Sequence, residues 1–230
     1  MWQYWEGPCP EWIRACQRTV GRHGGDVRLL GAADFDRLWD VDRDIDLSGL
    51  YVAQRADFIR AFLLARYGGL WVDSDCVAMK PLSPLLDLLG THEFLGYVIP
   101  EGEWISYAFI GSRPGGRVAL AHYARVCSLL RSGQPLSWIS LGALSLLTVV
   151  RQTGAPWYRV AVDLIEPVSD LQAFFVKDSP QGHERAFNPR SICYMLSNHA
   201  LGPYSAHPDA DLLADGTFFR YLLYRSDGQR

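Results

Sequence analysis

Two aspartates one residue apart, Asp73 and Asp75 around Ser74, follow directly on the apolar run Leu70-Trp71-Val72. A run of this kind is consistent with a buried strand, and in open α/β sheets ligands sit beyond the carboxyl ends of strands. Carboxylates there are hard oxygen donors suited to Mg²⁺ or Mn²⁺. Such a metal bridges to phosphate oxygens and neutralises the charge that develops on a diphosphate leaving group. Alone the pair is a weak signal, because aspartate readily occupies polar turns.

Other residues of this chemistry lie on both sides. Asp57 and Arg60 are three apart in a segment that reads as a helix over residues 50–67, so they share a face. Folding the following strand back beside that helix brings them toward Asp73 and Asp75. The plainer reading is a surface ion pair worth at most about 1 kcal/mol. Trp5 closes the opening segment, where an indole can stack on a nucleobase for about 1–3 kcal/mol. The alternative is that Trp2 and Trp5 are both core aromatics. His199 follows Leu196-Ser197-Asn198, and imidazole suits Mn²⁺, although a plain loop histidine is the alternative. His207, before Pro208 in a polar turn, is a weaker candidate.

The elements that must hold these residues alternate between two kinds. Short strands are expected at 2–5, 26–30, 70–72, 93–98, 105–111, 158–162 and 191–196. Helices are expected at 10–23, 50–67, 116–131, 138–152 and 210–224, with Trp12, Ile13, Cys16 and Val20 on one face of the first. A polar, aspartate-rich stretch at 34–46 joins the second strand to the second helix. Gly68-Gly69 lets that helix turn sharply into the next strand. Phe58, Phe62, Leu63 and Leu64 read as core. Strands alternating with helices argue for an α/β layered fold. Without internal repeats or linker-like stretches, residues 1–230 read as one domain.

Composition narrows the function. The 230 residues are 49% hydrophobic and 20% charged, with a formal net charge of -3. That is enough apolar material for a sizeable core and argues against disorder. No basic stripe stands out, so nucleic-acid binding is not expected. Five cysteines, an odd number without metal-ligand spacing, read as reduced thiols in a cytoplasmic protein. The opening residues lack the basic and apolar regions of a signal peptide, and no apolar run is long enough to span a bilayer. Peripheral membrane contact is the most that is expected.

The segment 56–75 resembles the core of the sugar-binding-region glycosyltransferases that carry the Asp-x-Asp motif. These include the capsular polysaccharide synthesis proteins and, more distantly, the large clostridial glucosylating toxins. The shared pattern is Asp57, Arg60, Tyr67-Gly68-Gly69 and Asp73-Ser74-Asp75. The opening Trp2-Gln3-Tyr4-Trp5-Glu6-Gly7, with Pro10 and Cys16, looks like the start of the capsular proteins in particular. Phe109-Ile110-Gly111 and the Gly142 region look like later blocks. One departure is Asp75 itself, since close capsular-type relatives often lack the second carboxylate. Its presence favours direct metal binding and weakens a narrow subfamily assignment.

The resemblance implies a glycosyltransferase A-type fold, a Rossmann-like mixed sheet flanked by helices. It implies sugar transfer, with retention at the anomeric carbon, from a nucleoside diphosphate sugar (a UDP-sugar first) to a glycan or small-molecule acceptor. The expected cofactor is Mn²⁺ or Mg²⁺. By the same resemblance Asp57 binds donor-sugar hydroxyls, Arg60 contacts sugar or diphosphate, and Trp5 binds the base, with Tyr4 and Gln3 beside it. Asp73 and Asp75 serve the metal, Asp73 also the donor's hydroxyls. A late His or Asn, here His199, completes the metal shell. Fold analogy puts Ser106 and Tyr107 on the acceptor side. Two rivals stand beside this reading: a non-catalytic nucleotide-sugar or glycan binder of the same fold, and a haloacid-dehalogenase-type phosphatase. The phosphatase needs its Asp-x-Asp near the chain start and a later lysine followed by an acidic pair, a pattern this chain does not match.

Overall fold

The computed structural model describes residues 1–100 and 104–228, with the backbone alone for His199. In chain order the elements are β1 (Trp2–Tyr4), α1 (Glu11–Gly24), β2 (Arg28–Leu30), α2 (Ala32–Leu38), α3 (Val52–Tyr67), β3 (Gly69–Val72), β4 (Cys76–Ala78), α4 (Ser83–Asp87), β5 (Phe94–Ile99), β6 (Trp104–Ser112), α5 (Arg117–Arg131), α6 (Ala143–Thr153), β7 (Trp157–Arg159), α7 (Val162–Ile165), α8 (Pro180–Ala186), β8 (Cys193–Met195), α9 (Pro208–Leu212) and α10 (Phe218–Ser226). They fall into two compact units, each drawn from three stretches of chain. The first comprises Met1–Glu6, Arg28–Val72 and Pro84–Val160; the second Gly7–Val27, Asp73–Ser83 and Ala161–Arg230.

The first unit is built on a six-stranded sheet ordered β2-β1-β3-β6-β5-β7. β1 runs parallel to β2 and β3, β6 runs antiparallel to both β3 and β5, and β7 is parallel to β5. The sheet is therefore mixed, as the expected fold class requires. Helix α3 packs on it and is apolar almost all round. Phe58, Ile59, Arg60, Ala61, Phe62, Leu63, Leu64 and Ala65 are consecutive and all buried. A helix buried on every side is a core helix, and this one carries Asp57 and Arg60. Its end is sharp because Gly68 sits at φ 64°, where a side chain would also overlap Pro114. The indole of Trp2 in β1 donates to the Gly68 carbonyl at 2.7 Å, tying the first strand to that turn.

The second unit holds a two-stranded antiparallel sheet, β4 with β8, in which Cys76 pairs with Met195 and Ala78 with Cys193. Helix α1 covers it with the face expected from its spacing, burying Trp12, Ile13, Cys16 and Val20. Thr19 donates to the Cys16 carbonyl and accepts the Ala78 N–H at 2.9 Å. All five cysteines are free thiols.

Several element boundaries differ from expectation. β4 was not foreseen, since three buried residues after a polar turn carry no periodicity. The stretch at 34–46 is not all loop: α2 forms where Asp34 accepts the Gly31 N–H at 2.9 Å and Phe35 supplies a buried anchor. The helix expected over 210–224 is two helices, α9 and α10. Gly216 lies at φ 81°, and the Thr217 hydroxyl caps α10 by accepting the Arg220 N–H at 3.2 Å. The helix expected from 138 begins only at Ala143.

Candidate active site

In the first unit the structure brings Asp57 and Arg60 together on α3, with Arg60 Nη1 at 3.7 Å from Asp57 Oδ1. This is no surface ion pair, because Arg60 is only 5% exposed. A buried guanidinium needs compensation, and two neighbouring strands supply it. Its Cζ lies 4.6 Å from the ring centre of Trp71 on β3 and 4.2 Å from that of Tyr107 on β6. Nη1 also donates to the Tyr107 carbonyl. Trp71 stands two residues before Asp73 in the chain.

The Tyr107 hydroxyl reaches back to α3, donating to the Asp57 carbonyl at 3.1 Å, and lies 2.7 Å from His122 Nε2 on α5. Ser145 Oγ on α6 lies 3.2 Å from His122 Nδ1. Burial, reinforced by Arg60 and Arg125, pushes the His122 imidazole down to about 3, so it is neutral at physiological pH. The N-cap of α6, Gly142, presses on the Asp57 carboxylate: a Cβ there would lie 2.9 Å from Asp57 Oδ2 and 2.8 Å from Tyr107 Cδ1. Tyr107 is thus buried beneath Arg60, and Ser106, also buried, accepts the Ala108 N–H at 3.4 Å.

At the end of β1, Gln3 and Tyr4 are buried and Trp5 is half-buried. The Trp5 N–H donates to the Leu30 carbonyl at 3.0 Å. Tyr4 donates its hydroxyl to Glu6, whose carboxylate also takes the Arg55 guanidinium. Burial first, then the bond and charge of Glu6, push the Tyr4 hydroxyl well above the usual phenol range. Glu6 and Arg55 brace the turn that follows Trp5.

In the second unit Asp73-Ser74-Asp75 forms the turn into β4. Ser74 is buried, and its hydroxyl accepts from Gln17 Nε2 of α1 at 3.3 Å. Asp75 is pinned from a distant part of the chain: its Oδ2 accepts the Asn198 N–H at 2.6 Å, while its carbonyl accepts the Leu196 N–H at 3.1 Å. Ser197 makes this possible by taking the left-handed conformation at φ 54°. His199 is therefore the next residue after the amide that holds Asp75, in a 3-10 turn over Asn198–Leu201; its side chain lies outside the described residues. His207 is exposed at the head of α9. Burial, with the Asp75 charge nearby, pushes the Cys16 thiol well up. Among the described residues no group of three or more His, Cys, Asp or Glu side chains gathers as an ion cage. None of their helices is long and apolar enough to cross a membrane.

His122, Ser145, Glu6, Arg55 and Asn198 are site neighbours that sequence reasoning missed. A signal existed for His122. It occupies the buried stripe Val118, His122, Val126 of α5 at four-residue spacing, and a polar residue on an apolar stripe calls for partners. Asn198 carried no such signal, because it acts through its backbone.

The family model of the capsular polysaccharide synthesis proteins matches residues 2–109, a little under half of the chain. Among curated proteins none matches the sequence. Solved structures do match in fold. The glycosyltransferase GlyE of Streptococcus pneumoniae superposes with a TM-score of 0.56 at 12% identity, covering 98% of this chain and 59% of GlyE. The bifunctional glycosyltransferase WbbM gives 0.52 at 10% identity, covering 97% of this chain and 51% of WbbM. The galactosyltransferase LgtC, in complex with donor and acceptor sugar analogues, gives 0.51 at 10% identity, covering 99% of this chain and 95% of LgtC. The chain thus spans little more than half the length of GlyE and WbbM, and at such identities the likeness is one of fold. Over residues 2–109 this chain carries the sequence pattern of the capsular polysaccharide synthesis protein family, on a mixed-sheet fold shared with glycosyltransferases of the A type.

Proposed function

We propose that the protein is a glycosyltransferase that moves a sugar from a nucleoside diphosphate sugar, a UDP-sugar first, to an acceptor hydroxyl in surface polysaccharide or secondary-metabolite synthesis. The observation that carries this reading is the turn Asp73-Ser74-Asp75. It leaves a strand in the interior of the sheet, inside the family-matched stretch, with Asp75 held by the Asn198 amide.

The donor set suits Mn²⁺ or Mg²⁺. Mg²⁺ is ordinarily held by one or two carboxylates plus substrate phosphates rather than by an all-protein cage, so two aspartates suffice where a diphosphate completes the shell. Asp73 and Asp75 would hold the ion, with His199 as a further ligand. When bound, the ion would neutralise the charge developing on the departing diphosphate. The chain's own groups do the rest. Asp57 accepts hydrogen bonds from donor-sugar hydroxyls, Arg60 offers its guanidinium to sugar or diphosphate, and Trp5 stacks on the base. Retention at the anomeric carbon follows the same resemblance. The reading places the protein in the cytoplasm, with at most peripheral membrane contact.

Incubation with Mn²⁺ and a panel of nucleotide sugars tests it, with nucleoside diphosphate release as the measurement. Release with at least one donor, abolished by EDTA and restored by Mn²⁺, is expected. Donor binding without release or transfer from any donor would instead mark a non-catalytic binder.

A further inference from the structure

We infer that His122 is a positioning residue for sugar transfer: through Tyr107 it holds Asp57 and Arg60 in their working geometry. This rests on the donor-binding role proposed for those two residues. Three contacts join Ser145 Oγ, His122 Nδ1, His122 Nε2, Tyr107 Oη and the Asp57 carbonyl, at 3.2, 2.7 and 3.1 Å. A carbonyl only accepts, so the single Tyr107 hydroxyl proton points to Asp57. Tyr107 Oη must then accept at its contact with Nε2, so the imidazole carries its proton on Nε2. Nδ1 is left as an acceptor for the Ser145 hydroxyl. One tautomer satisfies all three bonds; the other sets the Tyr107 proton between two acceptors. The neutrality of the buried ring agrees with this order.

Tyr107 is the hub. Its hydroxyl grips the α3 backbone at Asp57, its ring lies under the Arg60 guanidinium, and its carbonyl takes Arg60 Nη1. Rotation of its ring would break the bond to Asp57 and the ring contact with Arg60 together, and His122 is the side chain that holds the hydroxyl from the other side. Ser145 extends the chain to α6, whose N-cap Gly142 abuts the Asp57 carboxylate. Misplacement of a binding group by about 1 Å can cost about a hundredfold in rate, so the chain has leverage on catalysis without touching substrate.

The test compares His122→Leu, which removes both ring nitrogens, with His122→Gln, whose terminal amide can still donate to Tyr107. Tyr107→Phe, which keeps the ring beneath Arg60, serves if the leucine variant does not fold. His122→Leu and Tyr107→Phe should raise the donor KM and lower kcat by about tenfold or more, with the glutamine variant recovering most of the activity. Nitrogen-15 NMR of the free protein should show the proton on Nε2. The inference is overturned by a proton on Nδ1, by wild-type kinetics in His122→Leu or Tyr107→Phe, or by losses in leucine and glutamine variants that both simply track the thermal midpoint. A wild-type protein that transfers no sugar would sink the functional reading instead, while the NMR measurement would still decide the hydrogen-bond order.

Discussion

Under the proposed function the chemistry depends on Asp75, while the fold leans on it little. Its side chain is half-buried and accepts the Asn198 N–H at 2.6 Å from a residue that is itself exposed. Removing the carboxylate leaves that exposed amide to water, and a lost hydrogen bond to a charged group costs about 1.5–3 kcal/mol, with exposure putting this one at the low end. Asp75→Ala should therefore abolish Mn²⁺-dependent nucleoside diphosphate release while moving the thermal midpoint by only a few degrees. A large fall in the midpoint would assign Asp75 a structural role. Arg60 is the opposite case. Its i,i+3 partnership with Asp57 was legible from spacing, but not its burial between Trp71 and Tyr107, because both rings come from strands remote in sequence.

Among the elements, α3 and the start of α6 matter most to the site. The helix α3 was readable from its length and its Gly-Gly end. The start of α6 was not: the apolar stretch from Trp138 looks helical, yet Gly142 takes a non-helical backbone at φ -88°, ψ -108°. The reason is tertiary, since the Asp57 carboxylate and the Tyr107 ring leave room there for a hydrogen and nothing larger. Gly142→Ala should cost about 1–3 kcal/mol through overpacking and raise the donor KM by displacing Asp57. Denaturant unfolding and donor-dependent kinetics check both. Unchanged stability and KM would mean that Gly142 does not set the position of Asp57. The β4–β8 pair shows the same limit: three-residue strands lack a readable period and exist because each finds the other.

At the scale of the whole molecule, stability should depend on pH through His122. Its pKa in the fold is depressed to about 3 against about 6.5 in the unfolded chain. Below pH 6.5 the unfolded state binds the extra proton, so the contribution is complete above pH 6.5 and is lost as pH falls toward 3. The slope is at most about 1.4 kcal/mol per pH unit. Wild-type unfolding midpoints should fall between pH 6.5 and 4.5, and His122→Gln should show a shallower fall; parallel curves would contradict the buried neutral ring. The carboxylates of Glu6, Asp44, Asp46 and Glu93, held low in the fold, lose their share at lower pH.

By itself the sequence determined the alternating α/β plan, the long core helix ending at Gly68, the strand that delivers Asp73-Ser74-Asp75, and the pairing of Asp57 with Arg60. Each of these rests on local periodicity, on turn residues or on spacing along one helix. Only the tertiary structure decided that Arg60 is buried between two rings, that Tyr107 and His122 stand behind it, and that Asp75 is held by an amide 123 residues later in the chain. A hydrogen bond between residues so far apart is selected by packing of the whole chain, and a backbone N–H such as that of Asn198 has no side-chain identity for a sequence to display.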